Sequence, residues 1–469
     1  MRNRWVIILL LLAAAGAYYY FFVRAGGPQA NGMSYAPALS ADGDRVAFHS
    51  EADNLVPGDG NKAPDVFVKD LESGEMLRAS QSVAGEEGDA GSYNASIDAD
   101  GRLVVFTSDA SNLVSDDDNI CVEDGRRFNC PDIFLKDLES GEVERVSTGP
   151  GGEQANWKSE AAAISADGRY VAFSSYASNL VPGDTALCSE QQNTRNCSDI
   201  FLKDLETGAV TLLSAAAAGE PGDGDSFGPS ISADGRFVAF HSRAGNLVPG
   251  ESNGVPDVYV KDTLDGSIER VSEVTGGIGG LADSYNASIS ADGRLVAFIS
   301  AADNLVPGDA NGREDIFVRD MESGVIKLVS ISASGVVAGG NSSRPAMAGD
   351  GGSVAFDTTA ASLYPGDTAR CGENDGAPSC SDVLLKDLGD DSVLLVSGDS
   401  DGAQGNWNSY SPSVSADGAL VAFASEASNL VRGDRDACSD ATGSFNCSDI
   451  FLREIASGKV TRISVPARE

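Results

Sequence analysis

Seven times along this chain the same order of apolar and polar positions returns, and one copy, "SYNASISADGRLVAFIS" at residues 284–300, shows its logic. A short run leads into Ala-Asp-Gly, suited to a tight reversal because Asp and Gly tolerate left-handed backbone. In the run that follows, Leu295, Ala297 and Ile299 point one way and Val296 and Phe298 the other, so both faces are apolar. An antiparallel sheet with one wet face would instead alternate polar with apolar. After a long loop opening on "NLVPGD" come "DIFVRD", a "MESG" turn and "VIKLVS", which makes four short strands per unit. Strands apolar on both faces require sheets stacked on sheets, and a chain of four-stranded meanders achieves this radially.

The turn tripeptide begins at Ala41, Ala99, Ala166, Ala233, Ala291 and Ala416, with Gly349-Asp350-Gly351 in the remaining interval, at steps of 58 or 67 residues. A repeat of this kind overrides any domain count based on length. It predicts an all-β protein, a seven-bladed β-propeller of four-stranded antiparallel blades over residues 34–469. Because the chain enters an innermost strand near Pro37 and leaves an outermost one near Ser464, no strand is expected to be exchanged between the first and last blades.

The two step lengths differ at one place. From the end of the second strand to the Asp opening the third, the offset is 15 for Ser50 to Asp65, Ser242 to Asp257 and Ser300 to Asp315. It is 24 for Ser108 to Asp132, Ser175 to Asp199, Thr358 to Asp382 and Ser425 to Asp449. All eight cysteines fall in the long units, nine residues apart, which predicts the local pairs Cys121–Cys130, Cys188–Cys197, Cys371–Cys380 and Cys438–Cys447. Zinc sites prefer closer spacing with further Cys or His, and this chain has only two histidines. Each small ring should stabilise the fold by roughly 2–4 kcal/mol.

The repeat "SADGRFVAFHS…DVYVKDTLDGSIERVS" resembles that of the TolB-type, WD-like propellers, whose usual form is Ser-Pro-Asp-Gly, two strands with the second ending in Asp, and a closing Leu/Val-Thr/Ser. The likeness covers about residues 34 to 465 and implies the propeller, but such propellers serve many roles. Two departures are read from the chain: no α/β domain precedes the propeller as in TolB, so TolB's partners do not carry over, and no hydrolase domain is attached as in prolyl-oligopeptidase-like enzymes. The short loops carry acid-x-Asn-x-x-x-Asp: Asp59, Asn61 and Asp65; Glu251, Asn253 and Asp257; Asp309, Asn311 and Asp315. This resembles a truncated calcium loop of other propellers, without the central second Asp and the bidentate Glu, and supplies oxygen ligands for a structural Ca2+. The alternative is that these side chains cap turn amides. The long loops keep the outer acids (Asp117 and Asp132, Asp184 and Asp199, Asp367 and Asp382, Asp434 and Asp449) but 15 residues apart, so a compact ligand set is expected only in the short ones.

Residues 5–23 form an uninterrupted apolar run of 19 behind Arg2 and Arg4. That length suits a bilayer span better than a signal-peptide core. The expected order is therefore a cytoplasmic 1–4, a transmembrane signal-anchor helix 5–23, a linker 24–33 and a propeller outside the cytoplasm, periplasmic or extracellular. A cleaved signal peptide processed near Ala15 and Ala17 is the alternative, and disulfides agree with either compartment. With 70 Asp and Glu against 33 Lys and Arg, a net charge of −37 argues against nucleic acid. An envelope protein, a cationic peptide, a metal ion or a glycan fits better, and acidity also serves solubility.

Blade topology puts the tight turns on one face of the disc and every long loop and inter-blade link on the other. Binding residues concentrate on such loops. Tyr35, Tyr93, Phe227, Tyr285 and Tyr410 enter the innermost strands there, with Trp157 and Trp407 just before two of them, and they form either a ligand-binding rim or wedges between blades. His49 and His241 hold equivalent places in "VAFHS" and read as strand residues, and no catalytic motif or residue is assigned. The leading functional expectation is a non-enzymatic binding or scaffold module of the cell envelope; the alternative is an acid-pair glycosidase or polysaccharide lyase on the long-loop face.

Overall fold

A computed structural model describes residues 29–466 except 124, 185, 191–192, 251–253, 275–277, 372–378, 435–436 and 441–442. It holds seven four-stranded antiparallel sheets, each with its strands in chain order from the innermost outward. Blade 1 comprises Ser34–Leu39, Arg45–Ser50, Asp65–Asp70 and Met76–Arg78. Blades 2 to 7 open with the innermost strands Ser92–Ile97, Ser159–Ile164, Ser226–Ile231, Ser284–Ile289, Ser342–Met347 and Ser409–Val414. The expected number, order and blade composition are all present.

The apolar second and third strands pack against the blades on either side. Val46, Phe48 and Phe67 of blade 1 share a cluster with Ala422, Ile450 and Leu452 of blade 7. Within blades, rings pair across the two central strands, as in Phe106 with Phe134 at 6.1 Å and Phe298 with Phe317 at 5.8 Å. Such fully buried rings are each worth about 3–5 kcal/mol on truncation to Ala. The polar residues of the repeat have their own fixed partners. In every blade the Ser that follows the outermost strand donates its hydroxyl to the buried Asp opening the third: Ser80 to Asp65, Ser147 to Asp132, Ser214 to Asp199, Ser272 to Asp257, Ser330 to Asp315, Ser397 to Asp382 and Ser464 to Asp449. The Asn of "NLVPGD" clamps the incoming link, as where Asn54 Nδ2 donates to Gln29 O at 2.7 Å and its Oδ1 accepts from Asn31 N at 3.0 Å.

The Ala-Asp-Gly turns form a closed circle. Backbone amides of Asp42, Ala99, Asp167, Ala233, Ala291, Asp350 and Ala416 donate respectively to the carbonyls of Ala99, Ala166, Ala233, Ala291, Gly349, Ala416 and Ala41, each on the next blade. Glycine is required here twice over. Gly235 and Gly293 have φ of +72° and +75°, and a Cβ on them would come within 2.3 Å of Tyr170 and 2.1 Å of Phe237 on the preceding blade.

Blades 7 and 1 meet without exchanging a strand, as expected. Ser34 N donates to Ser448 O at 2.7 Å, the same bond that Ser92 N makes to Pro64 O at 2.8 Å between blades 1 and 2. The four disulfides pair as expected, with Cα–Cα separations of 4.8–5.0 Å and no free cysteine. In blades 2, 3 and 7 they brace hairpins, for example Ile120–Glu123 against Arg126–Asn129. Four structural disulfides are those of an extracytoplasmic protein. Among the described residues no helix is long and apolar enough to cross a membrane, and the expected anchor 5–23 lies outside them, as do linker residues 24–28.

Candidate functional site

The long-loop end of the channel is built on a distortion shared by all seven innermost strands. Between the second and fifth residues the register to the second strand slips by one, as from Tyr35↔His49 to Ala38↔Ala47. The third residue takes left-handed backbone in each: Ala36, Asn94, Ala161, Gly228, Asn286, Arg344 and Ser411, with φ between 45° and 61°. A β-bulge of this kind re-aims the side chains beside it, and left-handed backbone outside Gly and Asn costs of order 1–3 kcal/mol. Nothing in "SYAPAL" or "SEAAAI" announces it.

The expected aromatic residues sit at this bulge. Tyr35, Tyr93, Phe227, Tyr285 and Tyr410 are all half-buried. Their rings wedge between blades: Tyr410 packs on the blade 7–blade 1 cluster and Tyr285 on that of blades 5 and 6. Their hydroxyls reach the rim, where Tyr93 donates to Asp109, Tyr285 to Glu314 and Tyr410 to Ser448 Oγ. Trp157 is half-buried against the cluster of blades 2 and 3, while Trp407 is 37 % exposed. The wedge expectation thus describes how the rings of Tyr285, Tyr410 and Trp157 pack between blades. His49 lies between Tyr35 (5.5 Å) and Tyr93 (6.5 Å), and His241 between Phe227 (5.9 Å) and Tyr285 (6.2 Å). Burial pushes both imidazoles down to about 4, so they are neutral packing rings.

Carboxylates edge this belt. Glu51, Asp109 and Glu426 follow the second strands of the adjacent blades 1, 2 and 7, and burial raises Asp109 and Glu426. The tyrosine hydroxyls are raised by burial first and then by a neighbouring acid, Glu51 at Tyr35, Asp109 at Tyr93 and Glu314 at Tyr285. Blade 6 breaks the pattern: Ser343 stands where the aromatic would be, and Asp357 stands where blades 1 and 4 have histidine. Asp357 is 4 % exposed and accepts from Arg344 Nη1 at 2.8 Å and Ser411 N at 3.3 Å; burial pushes it up to about 6 against the pull of Arg344. Arg344 also lies over the Tyr410 ring at 5.6 Å. Only the "VAFDT" variant of the repeat signals this pair in sequence.

The loop acids lie further out. Asp59, Asp65 and Glu87 offer oxygens within 4.8 Å of one another, with Arg78 Nη1 among them at 3.6–3.9 Å. Asn61 and Asn311 turn their Nδ2 toward Asp65 and Asp315, and their Oδ1 accepts from Ala63 N and Arg313 N, which is turn-capping geometry. Glu251 and Asn253 lie outside the described residues, and Asp257 has Arg270 Nη1 at 3.7 Å. The long loops depart from expectation. Gln154 Nε2 bonds both Asp117 Oδ1 (2.7 Å) and Asp132 Oδ2 (2.9 Å), and Gln404 Nε2 bonds both Asp367 (2.8 Å) and Asp382 (2.6 Å). Fourteen intervening residues therefore do not separate the acids; in blade 2 the extension forms a disulfide-braced hairpin that returns the chain to the same point.

No family model matches the chain, and no curated protein matches it in sequence. Among solved structures, TolB from Acinetobacter baumannii matches at a TM-score of 0.38 and 15 % identity, over 81 % of this chain and 67 % of that one. The β-propeller domain of the Trilobed protease from Pyrococcus furiosus, described as having an open velcro topology, matches at 0.50 and 12 % over 92 % and 95 %. An acylaminoacyl peptidase from Pyrococcus horikoshii matches at 0.51 and 13 % over 92 % of this chain, which spans about half (52 %) of that enzyme. At these identities the likenesses show the fold alone. The chain shares a β-propeller fold with these proteins, and its activity is not read from them.

Proposed function

We propose that this chain is a non-enzymatic, membrane-anchored propeller outside the cytoplasm that binds a cationic segment of an envelope protein at its long-loop face. The observation carrying this is the belt at the channel mouth, where half-buried tyrosines meet carboxylates of Glu51, Asp109, Glu314 and Glu426. Aromatic faces edged by negative charge suit Lys and Arg, which gain both a cation–π contact and a complementary field. Both ends of the propeller support the anchored arrangement. Gln29 reaches Asp434 and Ser464 reaches Asp449, so the chain arrives and leaves on the long-loop face, and a helix at 5–23 joined by residues 24–33 turns that face toward the bilayer. A structural Ca2+ in the short loops, at Asp309 and Asp315 above all, belongs to the same proposal because no basic side chain among the described residues acts on that pair. Millimolar calcium should then raise the melting temperature, and replacing Asp309, Asn311 and Asp315 with Ala should remove part of the shift.

The test incubates the full chain with a lysine-rich peptide and, separately, with envelope polysaccharides. Peptide capture that weakens above about 0.1 M salt and falls about tenfold in Glu51→Gln/Glu426→Gln supports the reading. Release of sugar products identifies an acid-pair glycosidase or lyase and overturns it, as does peptide capture unchanged by the two substitutions.

A further inference from the structure

Among the described residues six blades carry a copy of one acid pair at the loop, blade 4 shows its Asp257 alone, and the copies differ in what neutralises them. The last residue of the outermost strand faces the pair and is Arg78, Arg145, Arg270 and Arg462 in blades 1, 2, 4 and 7, but Leu212, Leu328 and Leu395 in blades 3, 5 and 6. In blade 7 the Arg462 Nη1 sits 3.2 Å from Asp434 Oδ1 and 3.3 Å from Asp449 Oδ2, occupying the place a cation would take between two carboxylates. A second compensating position lies on the link to the next blade. It holds Gln154 and Gln404 after blades 2 and 6, whose amides bridge the pairs, but Pro221 after blade 3 and Val337 after blade 5. In blade 5 the Asn311 amide donates to Asp315 at 2.6 Å.

Blade 3 has none of these. Asp184 and Asp199 stand 67 residues beyond Asp117 and Asp132, at the same points of the repeat, and are 5 % and 0 % exposed. Ser214 satisfies one oxygen of Asp199, while its Oδ2 is buried with no hydrogen-bond partner. The nearby Asp225 is already held by Arg195 at 2.8 and 3.0 Å and by Ser198 N. Burial and the neighbouring carboxylates push Asp199 up to about 8, and burial pushes Asp184 up to about 6. Two inward-facing carboxylates without a positive partner are expensive unless a charge joins them. We propose that blade 3 binds a hard divalent cation of the Ca2+ class between Asp184 and Asp199, in the position that the guanidinium fills in blades 1, 2, 4 and 7. Oxygen-only donors exclude softer metals, and two carboxylates give the weak affinity of extracellular modules, a Kd of about 10⁻⁴–10⁻³ M. This site lies on a loop where spacing alone argued against one, and it does not depend on the rim's function.

The full chain is stripped with chelator and titrated with Ca2+ by calorimetry, and with Mn2+ followed by electron paramagnetic resonance. Asp184→Asn/Asp199→Asn should bind one ion fewer than the native chain. Leu212→Arg, which supplies the missing guanidinium, should lose the same ion and melt in chelator at or above the native temperature. Asp309→Asn should keep it. An equal stoichiometry in native and Asp184→Asn/Asp199→Asn chains overturns the proposal. So does a native chain that binds no Ca2+ or Mn2+ at several times 10⁻³ M, which would mean that a proton alone serves the pair.

Discussion

Replacing Arg462 with Leu would give blade 7 the outer-strand residue that blade 3 carries. In the native chain the side chains of Arg462 and its partners Asp434 and Asp449 are at most 4 % exposed, and the shared nitrogen lies 3.2 and 3.3 Å from the two oxygens. At an effective dielectric near 20 each charge pair is worth about 4 kcal/mol, and part of the two attractions is offset by desolvation of the guanidinium. Removing one partner of a buried ionic group nets about 3–5 kcal/mol of destabilisation. Unfolding entropy of ~2.1 cal/mol/K per residue over about 430 residues is roughly 0.9 kcal/mol/K, so the melting temperature should fall by about 3–5 °C. Differential scanning calorimetry in chelator at neutral pH reads this directly. Adding Asp434→Asn removes one of the abandoned carboxylates and should recover more than half of the loss. A fall below about 1 °C, or a double variant no more stable than the single, would show that the guanidinium is not what neutralises the pair.

Two further outcomes follow from the same geometry. Burial holds Asp98, Asp132, Asp357 and Asp382 up at about 6, so each binds its proton more tightly folded than unfolded; the stabilisation is complete below the unfolded value and lost as pH rises through about 6. His49 and His241, held down at about 4, act oppositely: their contribution is present above the unfolded value and lost as pH falls toward 4. Four acids outnumber two histidines, so the melting temperature should rise as pH falls from about 6 to about 4, and a steady fall across that interval refutes the account. Each disulfide joins cysteines nine residues apart, and in blades 2, 3 and 7 the ring sits on a two-stranded hairpin separate from the blade sheet. Reduction should cost at most about 2–3 kcal/mol per ring and leave far-ultraviolet circular dichroism unchanged, while unreduced peptide mapping that links different blades would contradict the structure.

The repeat made the blades legible because each strand carries its own period and each turn its own Asp-Gly, so seven noisy copies reinforce one pattern. Cysteine pairing was legible for the same reason: the nine-residue spacing occurs only where the loop is longer. What sequence could not reveal were relations between units. In four of the seven innermost strands the left-handed residue is Ala36, Ala161, Arg344 or Ser411, types that favour other backbone, so local preference does not announce the bulge. The acid pairs of the long loops looked separated because chain distance was taken for spatial distance, whereas a hairpin returns to its origin. The Arg344–Asp357 pair was passed over because an absent aromatic is a weaker signal than a present one.

The seam between blades 7 and 1 is made of bonds that recur at other junctions between neighbouring blades. Ala416 N to Ala41 O at 3.0 Å repeats Ala233 N to Ala291 O at 3.0 Å, and Leu39 N to Ser413 Oγ at 2.9 Å repeats Met347 N to Ser288 Oγ at 3.0 Å. The ring therefore has no privileged opening. Joining residue 466 to residue 29 through a short linker and cutting the chain at any other inter-blade link should yield a circular permutant of the same shape. The two chain ends would then flank a different pair of blades, and they could be placed at any sector of the ring.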